Sequence, residues 1–126
     1  MIVIDSSVFV EYFRTKDKTK TFFYRLCGIR SDFVMSAITH YEVYVGSNPE
    51  QDAFWNQLFT SVPLLPFGRE EANEAVKIQK ELLRKNKIIG FGDIAIGATA
   101  RLNDFEIASL NKKDFERIDG IKLLNL

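Results

Sequence analysis

Short apolar, β-branched runs alternate with longer stretches of helical periodicity along the chain. The first run ends on an acid: Ile2-Val3-Ile4 leads directly into Asp5-Ser6-Ser7. Strands that are separated by helices pair in parallel, and right-handed crossovers place the helices on both faces of the sheet. The expected fold is α/β, a three-layer α/β/α sandwich with a central, mainly parallel sheet. With 126 residues, 46% of them apolar, and no repeat, linker or low-complexity tract, residues 1–126 are read as one domain with a full core.

The periodicity predicts strands at Ile2 to Ile4, Asp32 to Met35, Phe105 to Leu110 and Ile121 to Leu124. Val62 to Phe67 is an edge strand at best, because Pro63 and Pro66 break any ladder. Helices are predicted from Ser7 to Arg14, from Thr21 to Cys27 before Gly28, and from a Ser36 cap to near Gly46. Another opens at Pro49, with Phe54, Trp55, Leu58 and Phe59 on its inner side. The longest, Arg69 to Lys85, has Ala72, Ala75, Val76, Leu82 and Leu83 as its core positions. Ile88 to Gly92 reads as a loop, and Asp93 to Leu102 as a buried central helix with almost no polar face. A short helix, Asn111 to Arg117, precedes the last strand.

Open parallel sheets bind ligands at the carboxyl edges of their strands. Asp5 directly follows the first strand, Asp93 opens a helix at that edge, and Asn111 and Asp114 follow the fourth strand. Glu42 lies six residues past Ser36, roughly 9 Å down its helix at 1.5 Å per residue. Helical side chains lean toward the N-terminus, so a glutamate there reaches back to the edge. It also falls on the apolar face expected from Ile38, Tyr41 and Val45. Each acid has another role open to it. Asp5 and Asp93 are placed to cap helices, Asp114 to close a capping box with Asn111, and Glu42 to pair with a lysine or arginine. Four carboxylates on one edge repel each other and lose hydration unless a cation joins them, which points to a divalent-metal site.

One cysteine and one histidine cannot build a thiolate or imidazole zinc cage, so any metal must be held mainly by oxygen, which favours Mg2+ or Mn2+. Cys27 has no partner for an internal disulfide. It is read as a small buried hydrophobe, and the compartment as cytoplasmic. His40, two residues before Glu42, points to a different helix face and is read as a surface or packing residue. The N-terminal apolar run is too short for a membrane span and lacks the basic lead of a signal peptide. A formal net charge of zero excludes no class of partner.

In their order and spacing these pieces resemble the PIN domain family, most closely the VapC-type toxins of bacterial toxin–antitoxin pairs. The matching pieces are Ile2-Val3-Ile4-Asp5-Ser6-Ser7, Ser36-Ala37-Ile38-Thr39-His40-Tyr41-Glu42 and Asp93-Ile94-Ala95-Ile96-Gly97-Ala98-Thr99-Ala100. Ala108-Ser109-Leu110-Asn111-Lys112-Lys113-Asp114-Phe115 and Ile118 to Leu123 complete the set, which spans nearly the whole chain. The resemblance implies a PIN-like sandwich in which Asp5, Glu42, Asp93 and Asp114 are the metal-site acids and Ser6 is the hydroxyl beside the first of them. Asn111 is its polar residue before the last acid, and which of Asn111 and Asp114 approaches the metal is left open. Ser109 stands where a threonine is usual. Gly97 stands where a larger small residue is usual, which is expected to loosen helix packing.

The activity implied is Mg2+-dependent endoribonuclease action on RNA, with a cognate antitoxin and a homodimer. The alternative is a non-catalytic PIN-like module that binds RNA or protein. Phosphoryl transfer through an aspartyl intermediate would want a second acid two residues after Asp5, where Ser7 stands. Lys16, Lys18, Lys20, Lys85, Lys87, Lys112 and Lys113 are candidate phosphate contacts, with Lys112 nearest the site in sequence. Phe9, Tyr12, Phe13, Phe22 and Phe23 are dense enough near the N-terminus to offer a groove to a partner peptide.

Overall fold

Ile2, Val3 and Ile4 are all fully buried, which requires cover on both faces of the strand they form. The computed structural model describes residues 1–126 and provides that cover. Its strands are β1 (Ile2–Ile4), β2 (Phe33–Ser36), β3 (Leu64–Leu65), β4 (Glu106–Ala108) and β5 (Lys122–Leu123). They form one sheet in the order β3-β2-β1-β4-β5, parallel at every pairing. The helices are α1 (Ser6–Arg14), α2 (Phe22–Cys27), α3 (Ala37–Val45), α4 (Pro49–Phe59), α5 (Arg69–Arg84), α6 (Phe91–Asn103) and α7 (Lys112–Glu116). A single 3-10 turn, Lys18–Lys20, fills the break before α2.

The pleat sends alternate side chains to opposite layers. Ile2, Ile4, Met35 and Ala108 pack with Val8, Phe9, Leu26, Val43 and Trp55 of α1 to α4. Val3, Val34 and Ile107 pack with Ile78, Leu82, Ile96 and Phe115 of α5 to α7. The three-layer sandwich expected from the alternation is therefore the fold observed. The caps agree as well. Ser36 Oγ accepts from the Ile38 N–H at 3.0 Å, and Asn48 and Gln51 form a reciprocal capping box ahead of Pro49. β3 is the short edge strand the two prolines allow.

Several expectations of detail are corrected. On α5 the buried residues are Ala75, Ile78 and Leu82, while Val76 and Leu83 are 50% and 59% exposed. Each lies one residue, about 100° at 3.6 residues per turn, around from a buried position and so faces outward. Cys27 ends α2 on its outer side and is exposed rather than core. Phe91 and Gly92 are the first two residues of α6 and not loop, so Asp93 is the third.

Phe9, Phe22 and Phe23 are core. Tyr12 and Phe13 pack half-buried against Phe54, so most of these rings fill the layer, and Phe13 also borders a small cleft between α1, α3 and α4. Gly97 tightens the packing instead of loosening it, since a Cβ there would lie 2.9 Å from Ile118 Cδ1.

Candidate metal centre

The strand order reverses between β1 and β4, the place where open parallel sheets form a crevice beyond their strands' carboxyl ends. Asp5 follows β1 at the N-cap position of α1, yet its side chain makes no capping bond. It is 2% exposed. Ser7 Oγ donates to its Oδ2 at 2.6 Å and Ser109 Oγ donates to the same oxygen at 2.8 Å. The other oxygen, Oδ1, is buried with no partner.

Glu42 enters from α3. The predicted apolar face is not the one used, because Tyr41 and Val45 are 64% and 68% exposed and Thr39 and Val43 are buried. Glu42 borders the Thr39–Val43 face, half-buried, and its Oε1 is also without a partner. Burial raises its pKa and the Asp5 charge adds to this, against a hydrogen bond from Ser6 that lowers it. No lysine or arginine pairs with it. His40 is exposed and packs against Tyr44 at a tilt of 41°, their ring centroids 4.5 Å apart, as expected of a surface packing residue.

Asp93 and Asp114 are each the third residue of a helix, α6 and α7. Asn111, at the N-cap position of α7, makes no side-chain cap. Its Nδ2 instead donates to Asp93 Oδ2 at 2.8 Å and Asp114 Oδ2 at 3.0 Å. Burial first, then the charges of Asp5, Asp114 and Glu42 and a hydrogen bond with Asp114, push Asp93 up to about 7. The charges of the three other acids all act on that carboxyl in the same direction as burial. Asp114 is the one of the four with a cation in reach, Arg117 Nη1 at 3.8 Å.

Acids at the opposite edge of the sheet behave differently. Arg30 binds Asp32 through two hydrogen bonds of 2.8 and 2.7 Å and Glu106 at 3.0 Å, and this holds Asp32 well below the usual carboxylate range. Between α5 and α6, Arg101 serves Glu74 at 2.6 Å and Glu81 at 2.9 Å. These four acids thus share two guanidinium groups, while Asp5, Glu42 and Asp93 have no lysine or arginine partner.

The donor set fits a hard divalent cation: carboxylates, hydroxyls and an amide oxygen, with buried oxygens on Asp5 and Glu42 that nothing satisfies. No three His, Cys, Asp or Glu side chains stand close enough to grip one ion without adjustment. Two residues escape detection in the sequence. Ser7, read there as a helix start and the end of the first matching motif, also accepts the Leu110 N–H at 3.0 Å and so joins the two strand ends. Gly92 passes against the Glu42 carboxylate. Of the remaining candidates, Ser6 makes no hydrogen bond to Asp5, whose Oδ2 is held by Ser7 and Ser109. Lys112 Nζ donates to Asn125 Oδ1 at 3.0 Å and bonds none of the four acids. Lys18 is unavailable to phosphate because its ammonium donates to the carbonyls of Tyr12, Phe13 and Thr15 at the end of α1.

The sequence profile of the PIN domain family matches residues 2–121. The chain belongs to that family. This PIN domain is 28% identical to "Ribonuclease VapC1" of Rickettsia felis over an alignment covering 99% of this chain and 96% of the relative. Among solved structures it resembles DNA-bound VapBC from Salmonella typhimurium, with a TM-score of 0.85 and 24% identity over 98% of this chain and 96% of that one. A toxin–antitoxin complex from Klebsiella pneumoniae gives a TM-score of 0.79 and 22% identity over 99% and 97%. Both structural likenesses bear on the fold. They agree with a PIN sandwich.

Proposed function

We propose that this chain is a Mg2+-dependent endoribonuclease that hydrolyses RNA phosphodiester bonds as the toxin of a VapBC-type toxin–antitoxin pair. Mn2+ substitutes for Mg2+ in this reading. One observation carries it: Asp5 and Glu42 each keep a buried oxygen that nothing satisfies, and no lysine or arginine pairs with Asp5, Glu42 or Asp93. The name of the Rickettsia felis relative supports the nuclease assignment. The solved VapBC and toxin–antitoxin structures of like fold are in keeping with an antitoxin partner.

Asp5 and Asp93 would hold the ion directly, with Glu42 and Asp114 completing the site themselves or through water. A divalent cation held there supplies an activated water and neutralises charge on the phosphate. Ser7 and Ser109 fix one oxygen of Asp5 and leave the other free. Ser6 orients Glu42, and Asn111 spans Asp93 and Asp114. Lys112 and Lys113, at the start of α7, are the lysines nearest the site in sequence and would contact the RNA backbone.

A cleft of about 200 Å3 between α1, α3 and α4, lined by Phe13, Arg14, Glu42 and Trp55, is where an antitoxin segment would reach the site. The homodimer is assigned to the outer face of α5, where Val76 and Leu83 are exposed and Val76 and Phe91 border an apolar hollow. No helix is long and apolar enough to cross a membrane. The lone cysteine favours the cytoplasm.

The test is incubation of RNA with the protein in Mg2+, in chelator, and with the Asp5→Asn variant. Cleavage in Mg2+ alone, lost in the other two, is the expected result. RNA left whole in every arm, with tight binding retained, would favour the non-catalytic PIN-like binding module instead.

A further inference from the structure

Gly92 has no backbone reason to be glycine. It is the second residue of α6, and its φ is not positive. Alanine is the better helix former by up to about 1 kcal/mol. What the position lacks is room. A Cβ built on Gly92 would lie 2.5 Å from Glu42 Oε2 and 3.3 Å from Glu42 Cδ. Gly90, the N-cap residue of the same helix, would meet nothing within 4 Å.

We propose that Gly92 is a positioning residue, whose missing side chain lets the first turn of α6 close on the Glu42 carboxylate and hold it at the metal centre. The inference rests on the metal-site reading above. It goes further, because it makes the placement of Glu42 depend on a residue with no polar side chain. α3 and α6 deliver Glu42 and Asp93 from separate elements, and both helices are fixed by buried packing: Val43 in one layer, Ile94 to Ala100 in the other. The backbone at Gly92 therefore cannot retreat easily. The Glu42 carboxylate is the free end of a flexible side chain, so an added methyl moves the carboxylate and leaves the helix intact. The consequence is a displaced ligand in a protein that folds normally.

The test uses the full, metal-free chain and Mn2+ titrated calorimetrically, with thermal unfolding and a crystal structure of the variant. Gly92→Ala should keep or raise the melting temperature, lower Mn2+ affinity by about tenfold, and show the Glu42 carboxylate pushed from its wild-type position. Gly90→Ala should leave affinity unchanged. In a Glu42→Ala background, Gly92→Ala should cost nothing further, because the group it strikes is gone; a general structural role would give the same loss in both backgrounds. The proposal is overturned by wild-type Mn2+ affinity in Gly92→Ala, by additive losses, or by an unmoved carboxylate. Should the wild-type chain take up no Mn2+ while the variant crystal still shows the carboxylate displaced, the metal reading falls and the positioning role stands.

Discussion

Ser109 Oγ donates to Asp5 Oδ2 across 2.8 Å, joining the residue after β4 to the residue after β1 at the crevice where the strand order reverses. Ser7 donates to the same oxygen, and Ser109 also accepts the Asn111 N–H at 2.8 Å. One oxygen of Asp5 is thus used structurally and the other left bare. This division of labour fixes the direction of the carboxylate before any ligand arrives.

Ser109→Ala removes a donor from a buried carboxylate and the acceptor of a backbone N–H. Leaving such groups unpaired costs about 1–3 kcal/mol, and urea unfolding of the metal-free protein should show a loss of that size. Ser7→Ala should fall in the same range. Ser6→Ala touches neither Asp5 bond and should cost less than either.

The elevated Asp93 sets a pH dependence of stability. Its folded pKa is about 7, against about 3.9 for an unperturbed aspartate. Between those values the folded protein binds more protons than the unfolded chain, so its stability falls as pH rises through that window. Asp32, held low by Arg30, has the opposite sign: its stabilisation is complete above about pH 3.9 and is lost only below that value. Metal-free protein should therefore melt at a lower temperature at pH 7.5 than at pH 5. Asp93→Asn should flatten this slope, and an unchanged slope in that variant would assign it to other groups.

Gly97→Ala places a methyl against Ile118 Cδ1 in a filled layer. Overpacking costs about 1–3 kcal/mol, partly offset by about 1 kcal/mol of helix propensity. A net loss near 1 kcal/mol in chemical unfolding is expected. Ile118→Val in the same chain should recover part of it by withdrawing the methyl that is struck.

The outer face of α5 carries the dimer assignment. Val76→Lys with Leu83→Lys should convert a dimer to a monomer in analytical ultracentrifugation. The monomer should keep its fold, because both side chains are exposed. A wild-type chain that sediments as a monomer would remove that assignment.

Much of this was legible in the sequence because it depends on local chemistry. Ile2-Val3-Ile4 and Phe33 to Ser36 read as strands from apolar β-branched runs, and Ser36 and Pro49 mark helix starts wherever they fall. Asp5, Asp93 and Asp114 follow from the rule that parallel strands deliver their next residues to one edge. The reason the sequence offers for a buried Glu42 is partly mistaken. The face judged apolar carries Tyr41 and Val45, which point to solvent, and the burial of Glu42 comes from its neighbours on other elements. Val76 and Leu83 on α5, and Cys27 on α2, were misplaced because apolar character does not say which side of a short helix meets the core. Ser7 and Gly92 left no local signal. One acts through hydrogen bonds to residues 102 and 103 positions away, and the other through a distance between two helices that only the folded chain sets.

The most direct test of the central claim is the anomalous diffraction of a crystal soaked in Mn2+. The account predicts a peak bounded by the carboxylates of Asp5, Glu42, Asp93 and Asp114, absent from an Asp5→Asn crystal. No peak among these side chains at saturating Mn2+, or a Lys112 or Arg117 side chain swung in to neutralise them, would contradict it.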